Sequence, residues 1–456
     1  MKIFKKIFIL ISFSLVIVAC EDLLESDLPS NQVGQDEAIK TPEDLQQLLN
    51  AAYDVMANGF NGNHQRFAEL LSDNVHVEGN TGFLVQVYNR SSDFFNSDVG
   101  GYFKEPYTAI LRANEVLERM VDVELSEAEQ NRFEGEAKFI RAICHFELVR
   151  LFGQPFGYTP DNSHLGIVIK TSTEINALQR GTVKEAYDQV LQDLTESETL
   201  LPETNGVYAT AYSAKAYLAK VYFQMNDFVN AAAKAEEVIA SQNFSFPSDI
   251  NSRYTAEISP ESVFSLISVS TTNNRGKLFY DMYNSDGVNI PTLRVSQEYF
   301  ALLKSDGNDL RSTWVDVKPS GTASIQVFTK FNPSFMSVSL TSLTEMMLIA
   351  AESYGELNTN LPVAADYINQ IKARANVPLI SEDPSAGIVI QETRVEKRKE
   401  FGGEGLRIHD LKRRAVKGED VIVRGAPWDC NGMVLQFPAS ELSIEGFELN
   451  PQGGCN

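Results

Sequence analysis

Two neighbouring stretches, 210–225 and 228–241, restrict most sharply what this chain can fold into. Each repeats apolar residues every three or four positions, the period of one helix face. The recurring residues are small or aromatic: Ala219, Tyr222, Phe228, Ala231, Ala235 and Val238, with Asn226-Asp227 as the turn between the stretches. Alanine stripes let two antiparallel helices approach closely, so the pair predicts a helical hairpin. The same habit recurs over 338–357 and 361–375, through Ala351, Tyr354, Ala364 and Ile368.

Both pairs match tetratricopeptide spacing. They are too few and too scattered for an open solenoid, so the expectation is hairpins packed inside one globule. Other helical periods run over 104–121, 128–152 and 182–200. Thr41-Pro42-Glu43-Asp44 reads as a helix start, with a cap, a first-turn proline and first-turn acids, continuing through Leu45, Leu48, Leu49, Ala52 and Tyr53. Residues 57–103 lose the period, and 245–337 alternates in short segments rich in Ser, Thr, Asn and Gly. The predicted class is mainly α, with long loops and minor strands. Helical hairpins occupy about 104–241 and 338–413, with a loop-rich insert at about 245–337.

The first residues set the compartment. Lys2, Lys5 and Lys6 precede an apolar run at 7–18 that ends Ala19-Cys20. A basic start, a short apolar centre and a small residue at the cut describe a secretory signal; a bilayer span needs ~20 residues. Cysteine directly after the small residue resembles a bacterial lipobox, whose thiol is acylated. The expectation is a signal peptide at 1–19, a lipid on Cys20, a polar tether over 20–40 and one domain over 41–456. Membrane contact would then run through the lipid anchor alone.

Formal net charge is −22, and losing the three signal lysines makes it −25. Such a body repels nucleic acid, so none is expected as a partner. Of four cysteines, Cys144 lies on an apolar helical face and reads as core. Cys430 and Cys455 fall in an irregular tail of a compartment that permits disulfides. They either pair, which would be worth about 3 kcal/mol by chain entropy, or remain two thiols; pairing is the expectation. The five histidines (64, 76, 145, 164 and 409) show no metal-binding spacing, and no metal or other cofactor is expected. Asp306-Gly307-Asn308-Asp309 lacks the twelfth-position acid of a calcium loop and reads as a turn before a strand. No nucleophile elbow or phosphate-cradling loop is present. Glu404, Arg407 and Asp410 read as an ion-paired helix junction in which Arg407 bridges both acids, and no catalytic residue is expected.

An ordered set of segments resembles the SusD/RagB family, surface lipoproteins of Bacteroidetes that serve nutrient uptake. It includes Arg112-Ala113-Asn114-Glu115, Gly135-Glu136-Ala137-Lys138-Phe139-Ile140-Arg141-Ala142 and Leu148-Val149-Arg150-Leu151-Phe152-Gly153. Near the end stand Glu404-Gly405-Leu406-Arg407-Ile408-His409-Asp410-Leu411 and Phe437-Pro438-Ala439-Ser440-Glu441-Leu442. Lys397, Phe401-Gly402-Gly403 and Ala439 depart from the family pattern at packing positions. The resemblance implies a SusD-like helical globule on the outer membrane, facing outward. It implies binding of an oligosaccharide or polysaccharide and delivery to a SusC-like TonB-dependent transporter. A peptide ligand is the alternative within the family, and a surface glycan hydrolase the alternative outside it.

Sugars stack their C–H faces on aromatic rings while amides and charged groups meet their hydroxyls. The loop-rich segments hold those residue types. The expected ligand face is therefore built by 57–103 and 273–316, away from the hairpins. Its candidates are Arg66, Asp73, Asn74, Tyr88 and Phe94 from the first segment, and Tyr280, Tyr283 and Trp314 from the second.

Overall fold

The computed structural model describes residues 39–77 and 82–455. The signal, Cys20 and nearly all of the tether lie outside the described residues. Helix α1 (Pro42–Phe60) starts where the sequence places it: the Thr41 hydroxyl accepts from the Asp44 amide, and the Asp44 carboxylate accepts from the Thr41 amide. Leu45, Leu49, Ala52 and Met56 form its fully buried face. The apparent loop at 57–103 is partly helical: α2 (Asn63–Leu71), a short strand β1 (Val75–Val77) and a six-residue α3 (Phe83–Tyr88) occupy it. Helix α4 (Ser97–Arg119) also begins earlier than its period suggests, because Asn96 caps it ahead of Gly100-Gly101. Pro106 sits inside α4, opposite Gly59 of α1, where an added Cβ would lie 3.3 Å from the proline ring.

Helices α5 (Glu127–Phe152), α6 (Val183–Leu200), α7 (Ala211–Gln224) and α8 (Phe228–Ile239) follow. Each packs on its predecessor, and α4 bridges α1 and α5. From Phe139 to Phe152 every residue of α5 is buried, Cys144 among them. The insert then contributes β2 (Ser262–Leu266), α9 (Lys277–Tyr283), β3 (Leu293–Val295), α10 (Gln297–Lys304), β4 (Val315–Ser320) and β5 (Ala323–Phe328). The predicted helix at 338–357 divides: β6 (Val338–Ser342) pairs antiparallel with β2, and only then does α11 (Leu343–Leu357) begin. Its cap is Ser342, whose hydroxyl accepts from the Glu345 amide. Helix α11 packs on α8, α12 (Leu361–Arg374) and α13 (Ala386–Phe401). The hairpins are thus less scattered than their sequence positions suggest. Helices α4 to α8 and α11 to α13 form one continuous packed series. The chain continues through α14 (Arg407–Val416) and a small hairpin, β7 (Ile422–Val423) with β8 (Ala426–Pro427).

The insert is locked to the helices by buried charge. Arg311 is fully buried; it binds Asp309 through Nε at 2.9 Å, and Nη1 reaches Glu396 at 2.7 Å and Glu400 at 3.0 Å. Lys399 joins at Asp309, 3.0 Å away, and Arg374 at Glu400, 2.7 Å away. Burial alone would raise the Glu400 carboxyl, but Arg374, Arg311 and Arg253 together hold it down to about 2. Asp309 is therefore a structural anchor in the turn that leads to β4.

The 404–410 junction is ion-paired, with different partners from those expected. Arg407 makes a two-pronged contact with Asp73 at 2.8 and 2.9 Å. Glu404 instead meets Lys330 at 2.9 Å, and Asp410 meets Lys397 at 2.8 Å. Cys430 and Cys455 form a disulfide with Cα atoms 5.2 Å apart.

Candidate functional site

A cleft of about 950 Å³ opens where β1 and β3 pair, with the β4–β5 hairpin on one side and the β7–β8 hairpin on the other. His76 and Arg294 are register partners across β1 and β3. Gln297 and Gln326 hydrogen-bond to each other at 2.6 Å along its edge. Tyr88, at the end of α3, supplies a half-buried ring.

That ring is held by a residue that sequence reasoning missed. Arg424 and Gly425 join β7 to β8 with φ of 47° and 82°. Two positive φ values in a two-residue hairpin describe the mirror-type turn that matches strand twist. Arginine is an unusual occupant of the first position, and the turn aims it inward. Arg424 Nε donates to the Ser72 carbonyl at 2.9 Å, and Nη2 donates to Leu70 at 2.9 Å and Tyr88 at 2.8 Å. Leu70 and Ser72 lie where α2 ends and leaves carbonyls without helical partners. The guanidinium lies 3.9 Å from the centre of the Tyr88 ring, a cation–π distance. The Tyr88 hydroxyl is 3.3 Å from His76 Nδ1. Desolvation, with Arg294 and Arg424 nearby, keeps the His76 imidazole below its usual pKa, so it is neutral at pH 7.

The expected residues separate into three groups. Asp73 and Tyr88 line this cleft, but both Asp73 oxygens are engaged by Arg407 and a third contact comes from Arg398 at 3.3 Å. Burial would raise the Asp73 carboxyl; these arginines win and lower it. Arg66 lines a second cleft of about 660 Å³, with Asn58, Asn61, Asn63, Asn273 and Arg275. Both clefts combine residues from 57–103 with residues from the insert.

The remaining residues stand apart. Asn74 is buried, its Oδ1 accepting from Arg398 Nε at 3.0 Å. Phe94 packs on the exposed Phe95, and Tyr280 is half-buried on α9. Trp314 and Tyr283 are not exposed stacking rings. Trp314 is 1 % exposed and donates to Asn251 at 2.8 Å; Tyr283 is fully buried, stacked on Phe331 at 4.9 Å. The physical reason is that the insert must bury apolar area to order itself, and its rings build that core.

Comparison with known proteins agrees with this architecture. A family model described as "starch-binding associating with outer membrane" matches residues 22–223, and the SusD family model matches 341–433. The SusD-like protein P2 of Formosa agariphila is 26 % identical over 99 % of each chain. A SusD superfamily structure from Bacteroides vulgatus aligns with TM-score 0.80 at 23 % identity, over 91 % of this chain and 99 % of that one. A laminarin-binding SusD-like protein aligns with TM-score 0.72 at 20 % identity, over 91 % of this chain and all of the other.

Proposed function

Because the chain belongs to the SusD family, we propose that it binds a glycan oligomer at the outer-membrane surface and passes it to a TonB-dependent transporter. In this reading residues 41–456 act as one domain, tethered through a lipid on Cys20. The observation that carries the proposal is the Tyr88 cleft: an open groove with one tyrosine ring held against Arg424, and with Gln297, Gln326 and His76 among a lining that also holds Asp73, Arg294 and Glu298. Arg424 covers one face of the ring, and the proposal sets the sugar against the other. Gln297, Gln326 and the neutral His76 would meet its hydroxyls. The reading includes no chemistry on the ligand, since Glu404 and Asp410 are committed to Lys330 and Lys397.

A glycan array, with laminarin oligosaccharides among its first members, identifies the ligand, and calorimetry then tests the site. Tyr88→Ala should weaken binding ten- to hundredfold, about 1–3 kcal/mol, while melting like the parent. Unchanged affinity would remove the Tyr88 cleft from consideration. Capture of peptides with no glycan bound would replace the ligand class, and release of cleaved product would replace binding with hydrolysis. Location has its own check: Cys20→Ala protein should leave the outer-membrane fraction, and its retention there would argue against the lipid anchor.

A further inference from the structure

Arg90 is placed as no structural arginine needs to be. It follows α3 in a Schellman arrangement: its amide donates to Val87 at 3.0 Å, and the Ser91 amide donates to Gln86 at 2.8 Å. The residue in that position must be left-handed, which usually means glycine; here it is arginine with φ 58°. The residue is 8 % exposed. The one hydrogen bond of its guanidinium goes from Nη2 to the Val423 carbonyl, Nε is buried without a partner, and among the described residues no carboxylate pairs with it. The charge closest in effect is the like-charged Arg424. A buried cation without a counter-charge is costly, and the left-handed backbone adds strain.

Arg90 lines a cleft of about 370 Å³ with Asn89, Ser92, Asn431 and Gln452, and no Asp or Glu is among the lining residues. The Ser92 hydroxyl is also buried without a partner. The opposite wall is the tail fastened by Cys430–Cys455, pressed so closely that a Cβ on Gly432 would lie 2.0 Å from the Arg90 carbonyl oxygen. In a chain of net charge −22, an arginine without a carboxylate partner, in a cleft lined otherwise by amide, hydroxyl and apolar residues, is a local reversal of sign. The planar fork of arginine suits a carboxylate or a sulfate.

We propose that this cleft is an anion site, in which Arg90 supplies the counter-charge to a carboxylate or sulfate group and Ser92 a hydroxyl contact. The group is either a free anion or an acidic substituent on an oligomer. The site shares the 422–427 hairpin with the Tyr88 cleft but does not depend on what that cleft binds.

The test is calorimetry at fixed ionic strength, with chloride as the background. Probes are sodium sulfate, sodium glucuronate, and an oligogalacturonate beside its methyl ester. Arg90→Asn suits the left-handed backbone, so it should fold and melt like the parent without added anion. It should bind sulfate and glucuronate at least tenfold more weakly. Arg90→Lys, which keeps the charge and loses the fork, should fall between them. Oligogalacturonate binding more tightly than its ester assigns the site to a substituent, whereas sulfate binding with no gain for the acidic oligomer assigns it to a free anion. If the folded parent binds none of the acids, or Arg90→Asn binds them equally well, the site is refuted. Neither result bears on a neutral glycan at Tyr88.

Discussion

Arg311→Met should destabilise the protein by about 3–5 kcal/mol, the usual result of removing one partner from a buried ion cluster. Methionine fills much of the volume but leaves Asp309, Glu396 and Glu400 short of a cation they share. Arg374 and Lys399 remain, so the cluster is weakened and not emptied. Denaturant melts at pH 7 read the loss directly, and a change below about 1 kcal/mol would mean that the remaining cations suffice.

Acid supplies a second reading. Glu400 is held at about 2, below the carboxylate's ordinary 4.5. A depressed acid contributes stability that is fully present above its unfolded pKa and is lost as pH falls through the folded one. Parent stability should therefore drop between about pH 4.5 and pH 2. In Arg311→Met the Glu400 carboxyl moves back toward its ordinary value, so its share of the acid-dependent loss shrinks. A variant whose acid slope matched the parent's would show that Glu400 is held by other groups.

The Cys430→Ser, Cys455→Ser protein should lose about 3 kcal/mol by the chain-entropy estimate, and it should still fold. Met433, Leu435 and Phe437 between the two cysteines are buried in the main core, and Asn450 ties the tail to Phe152 and Leu435 at 2.7 and 2.8 Å. Thermal melts with and without reductant check the size of the effect, and circular dichroism at room temperature checks the survival of the helices. Global unfolding on reduction would mean that the covalent link, and not this packing, holds the tail.

What could be read in advance follows the range of the interactions. Helices α5 to α8 lie within a residue or two of their apolar periods, because a helix face repeats locally and buries against the next helix in the chain. Helix α2 escaped because Asn61, Gly62 and Asn63 look like loop, although Gln65 caps its start from three residues away. The β2–β6 pairing was hidden for the opposite reason, since it joins residues more than 70 positions apart. Of the residues lining the candidate cleft, Tyr88 and Asp73 follow from residue type and region. Arg424 and Arg90 do not, because a left-handed arginine has no signature of its own. The faint signal was Arg424-Gly425 between two short apolar pairs. Trp314 and Tyr283 misled because a long insert needs a core, and aromatic residues serve a core and a sugar equally well.

The ladder between β2 and β6 has a consequence for how such a molecule can diversify. By zipping Ser262–Leu266 to Val338–Ser342, it brings the two mouths of a long excursion side by side just before α11. The entropy of closing a loop grows only with the logarithm of its length. Lengthening or shortening those stretches beyond the ladder that lie clear of the Arg311 cluster and of β3 is therefore cheap, and α8 still meets α11 in the same register. The excursion is thus fixed at its neck by the ladder and further out by the Arg311 cluster, and the stretches between those two points can change length while the helical frame stays as it is.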